Sequence, residues 1–264
     1  MRNYELEMME ALEILENSGC LWGVKAEFEA EGTRFLELIE LARIARRSGT
    51  RLAVKVGGAE AVRDLDELKR VGVEAVIAPM IESAYAVKKN IDSIERVFAG
   101  SASPPQFLIN FETSGAWENR VEILESVASS PQIRGIVFGR VDFSLSTGLK
   151  RDDINQQSVL EVALFLATEL ARADKLFVIG GGVSELSFPF LAEAQAVRLD
   201  RFETRKVVFN AAQTLAFEER ASLIRQAMRF EIAWLRFKRE QASSVLHEDE
   251  DRVKMLEERW LGGS

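Results

Sequence analysis

Cysteine and histidine are almost absent from this chain of 264 residues. Cys20 is its only cysteine and His247 its only histidine. A single cysteine excludes a disulfide framework and a cysteine-based zinc site. His247 lies in an acidic stretch near the C-terminus, where we expect a solvated surface residue. Any metal or proton chemistry must therefore rest on other groups.

Long apolar runs and an excess of positive charge are also missing. No stretch approaches the ~18 apolar residues of a membrane span, and the start, MRNYELEMME, lacks the apolar region of a signal peptide. The net charge is −8 and the pI about 5.1, so no overall positive field attracts nucleic acid or an anionic membrane. We expect a cytoplasmic protein that binds neither, and an anionic substrate must be met by local cations.

The chain does contain an alternation of short apolar runs with helical stretches. Seven runs are typical of parallel strands buried on both faces: residues 21–28, 51–57, 74–80, 106–112, 134–140, 175–181 and 195–202. Strands separated by crossover helices pair in parallel. The pattern predicts an α/β fold, a (β/α)₈ TIM barrel, with an open doubly wound sheet as the alternative.

One barrel strand is unaccounted for. The first strand is missing, replaced or hidden near residues 19–22, or residues 206–210 supply a short one. The predicted organisation is an N-terminal helix over 1–20, a barrel domain over 21–210 and a helical extension over 211–264. That extension exceeds what one barrel needs. It packs either on a neighbouring subunit or over its own barrel.

Charged residues follow five of the predicted strands. Ligand sites of parallel α/β folds lie at the carboxyl ends of strands, so these side chains would converge on one rim. In chain order they are Glu27 and Glu29, Lys55, Glu82, Glu112, then Arg140 and Asp142.

Glu112 and Asp142 follow strands of adjacent units, so their carboxylates can reach one point. Hard oxygen ligands without cysteine or histidine suit Mg²⁺ or Mn²⁺. A 2-keto acid would complete the coordination, and the metal would stabilise an enolate. The alternative from spacing alone makes Asp142 a turn or cap residue and Glu112 an ordinary loop acid.

Two weaker signals lie further along the chain. Gly181 and Gly182 belong to a glycine turn that runs into a helix, where exposed N–H groups suit a phosphate or carboxylate; a simple tight turn is the alternative. Arg205 follows the last predicted strand and either meets the same anion or pairs with Glu203.

Six segments together resemble the HpcH/HpaI aldolase and citrate lyase β-subunit family over roughly residues 21–210. They are VKAEFEAEGTR, LAVKVGGAEAVRDL, GVEAVIAPMIES, FLINFETSGAWENRVEIL, GIVFGRVDFSLSTGL and FETRKVVF. The resemblance implies a phosphoenolpyruvate/pyruvate-type TIM barrel that cleaves or forms carbon–carbon bonds beside a keto acid or acyl thioester. It places the family's metal carboxylates on Glu112 and Asp142 and implies a homo-oligomer, a trimer or hexamer.

The sequence departs from the family at two places. The family's loop histidine is absent where this chain reads EFEAEG, so Glu27, Glu29 or a metal-bound water would handle protons. Lys55 replaces the arginine that binds the substrate carboxylate, and a point charge replaces a bidentate fork. Arg140 is a candidate to supply that fork. A Schiff base on Lys55 is a remoter alternative.

We therefore expect a divalent-metal-dependent carbon–carbon lyase. Lys55 and Arg140 would bind the substrate carboxylate, assisted by the backbone N–H groups of Val141 and Asp142. The alternatives are a non-lyase enolate enzyme, such as a thioester hydrolase or a phosphoenolpyruvate-utilising transferase, and a barrel that binds an anionic metabolite without turnover.

Overall fold

The computed structural model describes residues 3–256, and the side chains of residues 3–241. Within this range, eight strands close into a barrel in chain order. The strands are β1 (Leu21–Glu27), β2 (Arg51–Lys55), β3 (Ala75–Ala78), β4 (Gln106–Phe111), β5 (Ile133–Gly139), β6 (Leu176–Gly180), β7 (Arg201–Glu203) and β8 (Val207–Asn210). The predicted barrel is confirmed, and the closed sheet excludes the open one.

Helices surround this barrel and bury its outer face. They are α1 (Asn3–Asn17), α2 (Phe35–Arg47), α3 (Val62–Val71), α4 (Ala84–Phe98), α5 (Ser114–Glu118), α6 (Arg120–Ser129), α7 (Arg140–Ser146), α8 (Gln157–Arg172), α9 (Phe188–Val197), α10 (Ala211–Ala216) and α11 (Arg220–Leu256). Local signals set several ends. Ser83 begins α4 by accepting a hydrogen bond from the Ala86 amide at 3.1 Å, and left-handed Gly72 ends α3.

Alternation along the strands sorts the barrel interior into layers. Because every second residue of a strand faces the same side, Arg51, Ala53 and Lys55 of β2 all share one face. The middle layer is an apolar cluster: Trp22, Ala53, Ala75, Ile77, Leu108, Val137, Val178 and Val208. Polar and charged side chains therefore occur at both ends of the barrel, with an apolar plug between them.

The eighth strand runs against the other seven. Strands β1 to β7 pair in parallel, whereas β8 pairs antiparallel with both β7 and β1. Only residues 204–206 separate β7 from β8, which is enough for a hairpin and too short for a crossover. Of the alternatives for the unaccounted strand, the one that used residues 206–210 is correct, since the residues before Leu21 form α1.

The strand predicted over residues 195–202 is misplaced. Helix α9 continues to Val197, and β7 begins only at Arg201. The sequence FPFLAEAQAV buries Leu191 and Ala194 one helical turn apart, so the helical period extends into the segment read as a strand.

Helices α1 and α11 pack against each other, and an ion pair between Arg229 and Glu10 at 2.6 Å joins them. The described part of α11 thus covers its own chain. A contact between the extension and another subunit stays a prediction. The domain boundaries at residues 20 and 210 also stay predictions. Residues 1–2 and 257–264 and the side chain of His247 lie outside the part of the chain that the structure describes.

Within residues 3–256, no helix is both long and apolar enough to cross a membrane.

We expect Trp234→Ala to lower the free energy of unfolding by about 3–5 kcal/mol. Trp234 is 1% exposed and stacks on Phe237 in α11, so truncation leaves a large cavity. Its neighbour Leu235 is 52% exposed, and Leu235→Ala should change stability by less than about 0.5 kcal/mol. Urea denaturation measures both, and equal losses would contradict this packing of α11.

Candidate active site

The carboxyl ends of the strands surround a cavity of about 340 Å³. Nine of the predicted site residues line it: Glu27, Glu29, Lys55, Glu112, Val141, Asp142, Gly181, Gly182 and Arg205. Arg140 and Glu82 are not among the lining residues. The convergence that the strand ends predicted therefore occurs, with these two exceptions.

Glu112 is the most enclosed carboxylate of the cavity, with 2% exposure. Its Oε1 accepts from the Met80 amide at 3.1 Å, and its Oε2 accepts from Asn110 Nδ2 at 2.5 Å. Gly139 makes room for it, because a Cβ there would lie 2.5 Å from Glu112 Oε2. Burial raises the pKa of the Glu112 carboxyl, although Lys55 opposes the rise.

Asp142 lies in the first turn of α7 and is exposed. Its negative charge adds to the rise in the pKa of Glu112, so the two carboxylates interact across the cavity. Between residues 3 and 241, no group of three or more acidic, histidine or cysteine side chains forms a metal cluster. A neutral oxygen is available as well: Asn110 Oδ1 is buried and has no hydrogen-bond partner.

Lys55 joins two carboxylates. Its Nζ lies 3.3 Å from Glu112 Oε1 and 3.0 Å from Glu29 Oε2. Burial alone would lower the pKa of Lys55, but the nearby carboxylates outweigh it and hold that pKa above its usual value. The two carboxylates stabilise the charged form of Lys55. A Schiff base requires a lowered lysine pKa, so this environment disfavours that alternative.

Glu27 belongs to a separate buried network. Lys25 Nζ lies 2.9 Å from Glu27 Oε1 and also pairs with Glu203 at the end of β7. Burial would raise the pKa of Glu27, but the Lys25 ammonium outweighs it, and the net result is a lowered pKa. Lys25, on the same strand, therefore stabilises the charged form of Glu27.

Arg140 does not face the cavity, which corrects its predicted catalytic and substrate-binding roles. It is fully buried, and its guanidinium donates to the carbonyls of Gly180 and Gly181 and to Asn155 Oδ1, at 2.6–3.2 Å. It also lies 4.8 Å from the Phe190 ring. Burial lowers its pKa to about 10. Arg140 anchors the loop after β6 to the start of α7, so its charge is unavailable to a substrate.

The glycine turn after β6 packs closely on α7. Gly181 has a φ of +81°, and a Cβ there would lie 2.7 Å from the Val141 amide nitrogen. This close approach explains why position 181 requires a glycine. Gly181 and Gly182 both line the cavity. Arg205 is half-exposed, and its Nε lies 3.1 Å from Glu31 Oε1. It pairs with Glu31 rather than Glu203.

Sequence reasoning missed several contributors to this cavity, among them Asn110, Arg151, Glu203 and the Met80 amide. Asn110 had a usable signal, since it lies two residues before Glu112 and must face the same side of the strand. Glu203 also had a usable signal, since it lies at the end of a strand, where the other site residues lie. Arg151, in a short 3₁₀ turn, and the Met80 amide had none, because loop paths decide where they lie.

A closed barrel with a charged cavity at the carboxyl ends of its strands defines the TIM-barrel class of fold. A sequence profile for HpcH/HpaI aldolase/citrate lyase matches residues 35–179, more than half of the chain. The chain belongs to the HpcH/HpaI aldolase/citrate lyase family, which supports a lyase-like enzyme. The match contains Lys55, Glu112 and Asp142, whereas Glu27, Glu29 and Arg205 lie outside it.

Solved structures show the same fold at low sequence identity. The HpcH/HpaI aldolase from Desulfitobacterium hafniense DCB-2 superposes with a TM-score of 0.59 at 15% identity, covering 74% of this chain and 82% of that one. Citrate synthase SbnG gives 0.58 at 17%, covering 74% and 81%. An HpcH/HpaI aldolase/citrate lyase family protein from Burkholderia cenocepacia J2315 gives 0.58 at 14%, covering 92% of each chain. No curated protein matches the sequence significantly.

Arg140→Gln should lower the free energy of unfolding by roughly 3 kcal/mol, because it leaves buried acceptors without their donor. Arg151→Gln is the matched control: Arg151 is an exposed arginine on the cavity wall, and its loss should cost less than about 0.5 kcal/mol. Thermal and urea unfolding measure the difference. Unchanged stability in Arg140→Gln would contradict the anchoring role.

Proposed function

We propose that the protein is a divalent-metal-dependent carbon–carbon lyase that acts on a 2-keto acid or an acyl-thioester relative through an enolate. The observation that carries this proposal is the convergence of the Glu112 and Asp142 carboxylates with the unpartnered Asn110 Oδ1 on one cavity. Family membership supports the lyase class.

The chemistry of the donors fits Mg²⁺ or Mn²⁺. Glu112, Asp142 and Asn110 offer only hard oxygen atoms, and both ions prefer such ligands. The cavity wall carries five acids, Glu27, Glu29, Glu112, Asp142 and Glu203, and four bases, Lys25, Lys55, Arg151 and Arg205. The excess of negative charge favours a cation beside Glu112 despite Lys55. A bound ion would supply Lewis-acid stabilisation of negative charge on a substrate oxygen.

Lys55 binds the substrate carboxylate in this proposal. Its ammonium is largely shielded from water and is shared between Glu112 and Glu29. An incoming carboxylate can therefore replace one of these partners at little electrostatic cost. Arg205 and Arg151, on the more exposed wall, attract the distal anionic part of the substrate, and their exposure permits larger substrates to project outward.

Glu29 carries the proton in place of the missing histidine. Glu27 is held ionised by Lys25, which makes it a poor proton carrier. The nearest cation to Glu29 is Lys55, the group that turns to the substrate carboxylate on binding. That exchange releases Glu29 at the moment when a base is needed beside the substrate.

A specific observation favours a second candidate, a barrel that binds an anionic metabolite without turnover. Glu27, Glu29 and Glu31 each pair with a lysine or arginine, so the loop in the histidine's place offers no free base. Turnover separates the two candidates. The trimer or hexamer implied by the family remains part of the proposal and is measurable by light scattering.

Metal binding is the first test. Titration calorimetry should show Mg²⁺ or Mn²⁺ uptake by the wild type, and Glu112→Gln should weaken it at least about tenfold, equivalent to about 1.4 kcal/mol. Glu82→Gln is the matched control, since Glu82 also follows a strand but does not line the cavity. Absence of uptake by the wild type, or equal affinities in the two variants, would sink the metal site.

Proton transfer is the second test. With Mg²⁺ in deuterated buffer, the wild type should exchange the methyl protons of pyruvate, measured by NMR. Glu29→Gln should slow exchange about 100-fold, and Glu27→Gln should slow it less. The opposite order would overturn the assignment of Glu29. Metal-dependent binding of oxalate without any exchange by the wild type would establish the non-catalytic candidate instead.

A further inference from the structure

A second charged layer lies at the opposite end of the barrel, where the strands begin. Arg51 is the first residue of β2, Arg201 the first of β7, and Trp22 lies at the start of β1. Parallel strands begin at one edge, so these side chains converge. They line an open cavity of about 750 Å³. Trp22 also belongs to the apolar middle layer, and the other residues of that layer separate the two arginines from Glu112 and Asp142.

Both guanidinium groups lie against the same indole. The Cζ of Arg201 is 4.1 Å from the Trp22 ring centroid, and that of Arg51 is 5.7 Å away. Contact with an aromatic ring stabilises one cation, but it does not remove the repulsion between two. The ring therefore holds two like charges close together on one cavity wall.

Neither guanidinium has a carboxylate partner within residues 3–241. Arg201 donates to Gln106 Oε1 at 2.9 Å and Arg51 to the Trp22 carbonyl at 3.5 Å, both neutral acceptors. Burial lowers the pKa of Arg201 to about 10; the charge of Asp200 opposes this fall, and repulsion from Arg51 adds to it. The one acid on the cavity wall, Glu74, accepts from the Leu52 amide at 2.8 Å. The remaining guanidinium N–H groups are free to bind a ligand.

We propose that Arg51, Arg201 and Trp22 form a binding site for a small molecule that carries a phosphate or carboxylate group, distinct from the cavity at the carboxyl ends of the strands. Two planar guanidinium groups offer the paired donors that such oxyanions accept. Bound negative charge relieves the repulsion between the arginines. The polar side chains of Gln106, Asn210 and Gln213 complete the wall and can bind the rest of the ligand.

Titration calorimetry of the full chain with inorganic phosphate and with malonate, without divalent metal, tests this site. At least one anion should bind, and the tighter of the two identifies the preferred group. Arg51→Gln should weaken binding at least tenfold with an unchanged unfolding temperature, since Arg51 is exposed. Arg201→Lys, which keeps the charge but loses the fork, should also weaken it.

Arg96→Gln is the matched control. Arg96 is an exposed arginine near the C-terminal end of α4, and it does not line this cavity. The variant removes the same charge from the chain and should keep the wild-type affinity within about twofold. Failure of both anions to bind the wild type overturns the proposal, as does equal binding by the Arg51 and Arg96 variants. Arg51→Gln should leave Mg²⁺ uptake unchanged, because Arg51 lies at the opposite end of the barrel from Glu112, so failure of this site and failure of the metal site are distinguishable.

Discussion

The ion pair between Lys55 and Glu112 governs the electrostatics of the barrel mouth. A carboxylate with 2% exposure would take up a proton without a compensating charge, and a lysine in the same place would lose one. Together the two groups keep their charges in a site largely shielded from water. Burial and the charge of Asp142 raise the pKa of Glu112, and Lys55 and the hydrogen bonds from Met80 and Asn110 oppose this rise.

The neighbouring charges follow the same rule of mutual compensation. Lys25 lies between Glu27 and Glu203, and Lys206, 1% exposed, pairs with Glu31. Lys25 lies within β1, Lys55 ends β2, and Lys206 immediately precedes β8. Buried ion pairs contribute little net stability, but losing one partner is costly. The mouth is therefore an interdependent set of charges, in which changing one group alters the protonation of several.

Alternation and strand order made much of this arrangement predictable. The positions of Glu112, Asp142 and Lys55 on one rim follow from the rule that parallel strands end at one edge. The burial of Arg140 did not follow, because the acceptors that hold it come from the loop after β6 and from Asn155, and the sequence does not reveal their distance. Lys25 lies two residues before Glu27, so the sequence indicated this pair. The second partner of Lys25 is Glu203, which is 178 residues away, and only the closed barrel brings the two together. The reversed direction of β8 was not predicted. It follows from the connection over residues 204–206, which is too short to hold a crossover helix.

The reversed strand also decides when the barrel can be completed. The pairing of Leu21 with Phe209 joins the first strand to the last, so this seam closes only after almost the whole barrel has left the ribosome. The β7–β8 hairpin is local and forms quickly, whereas its docking on β1 must overcome the entropy of closing a very long loop. Until then the edge of β1 that pairs with β8 stays unpaired during synthesis.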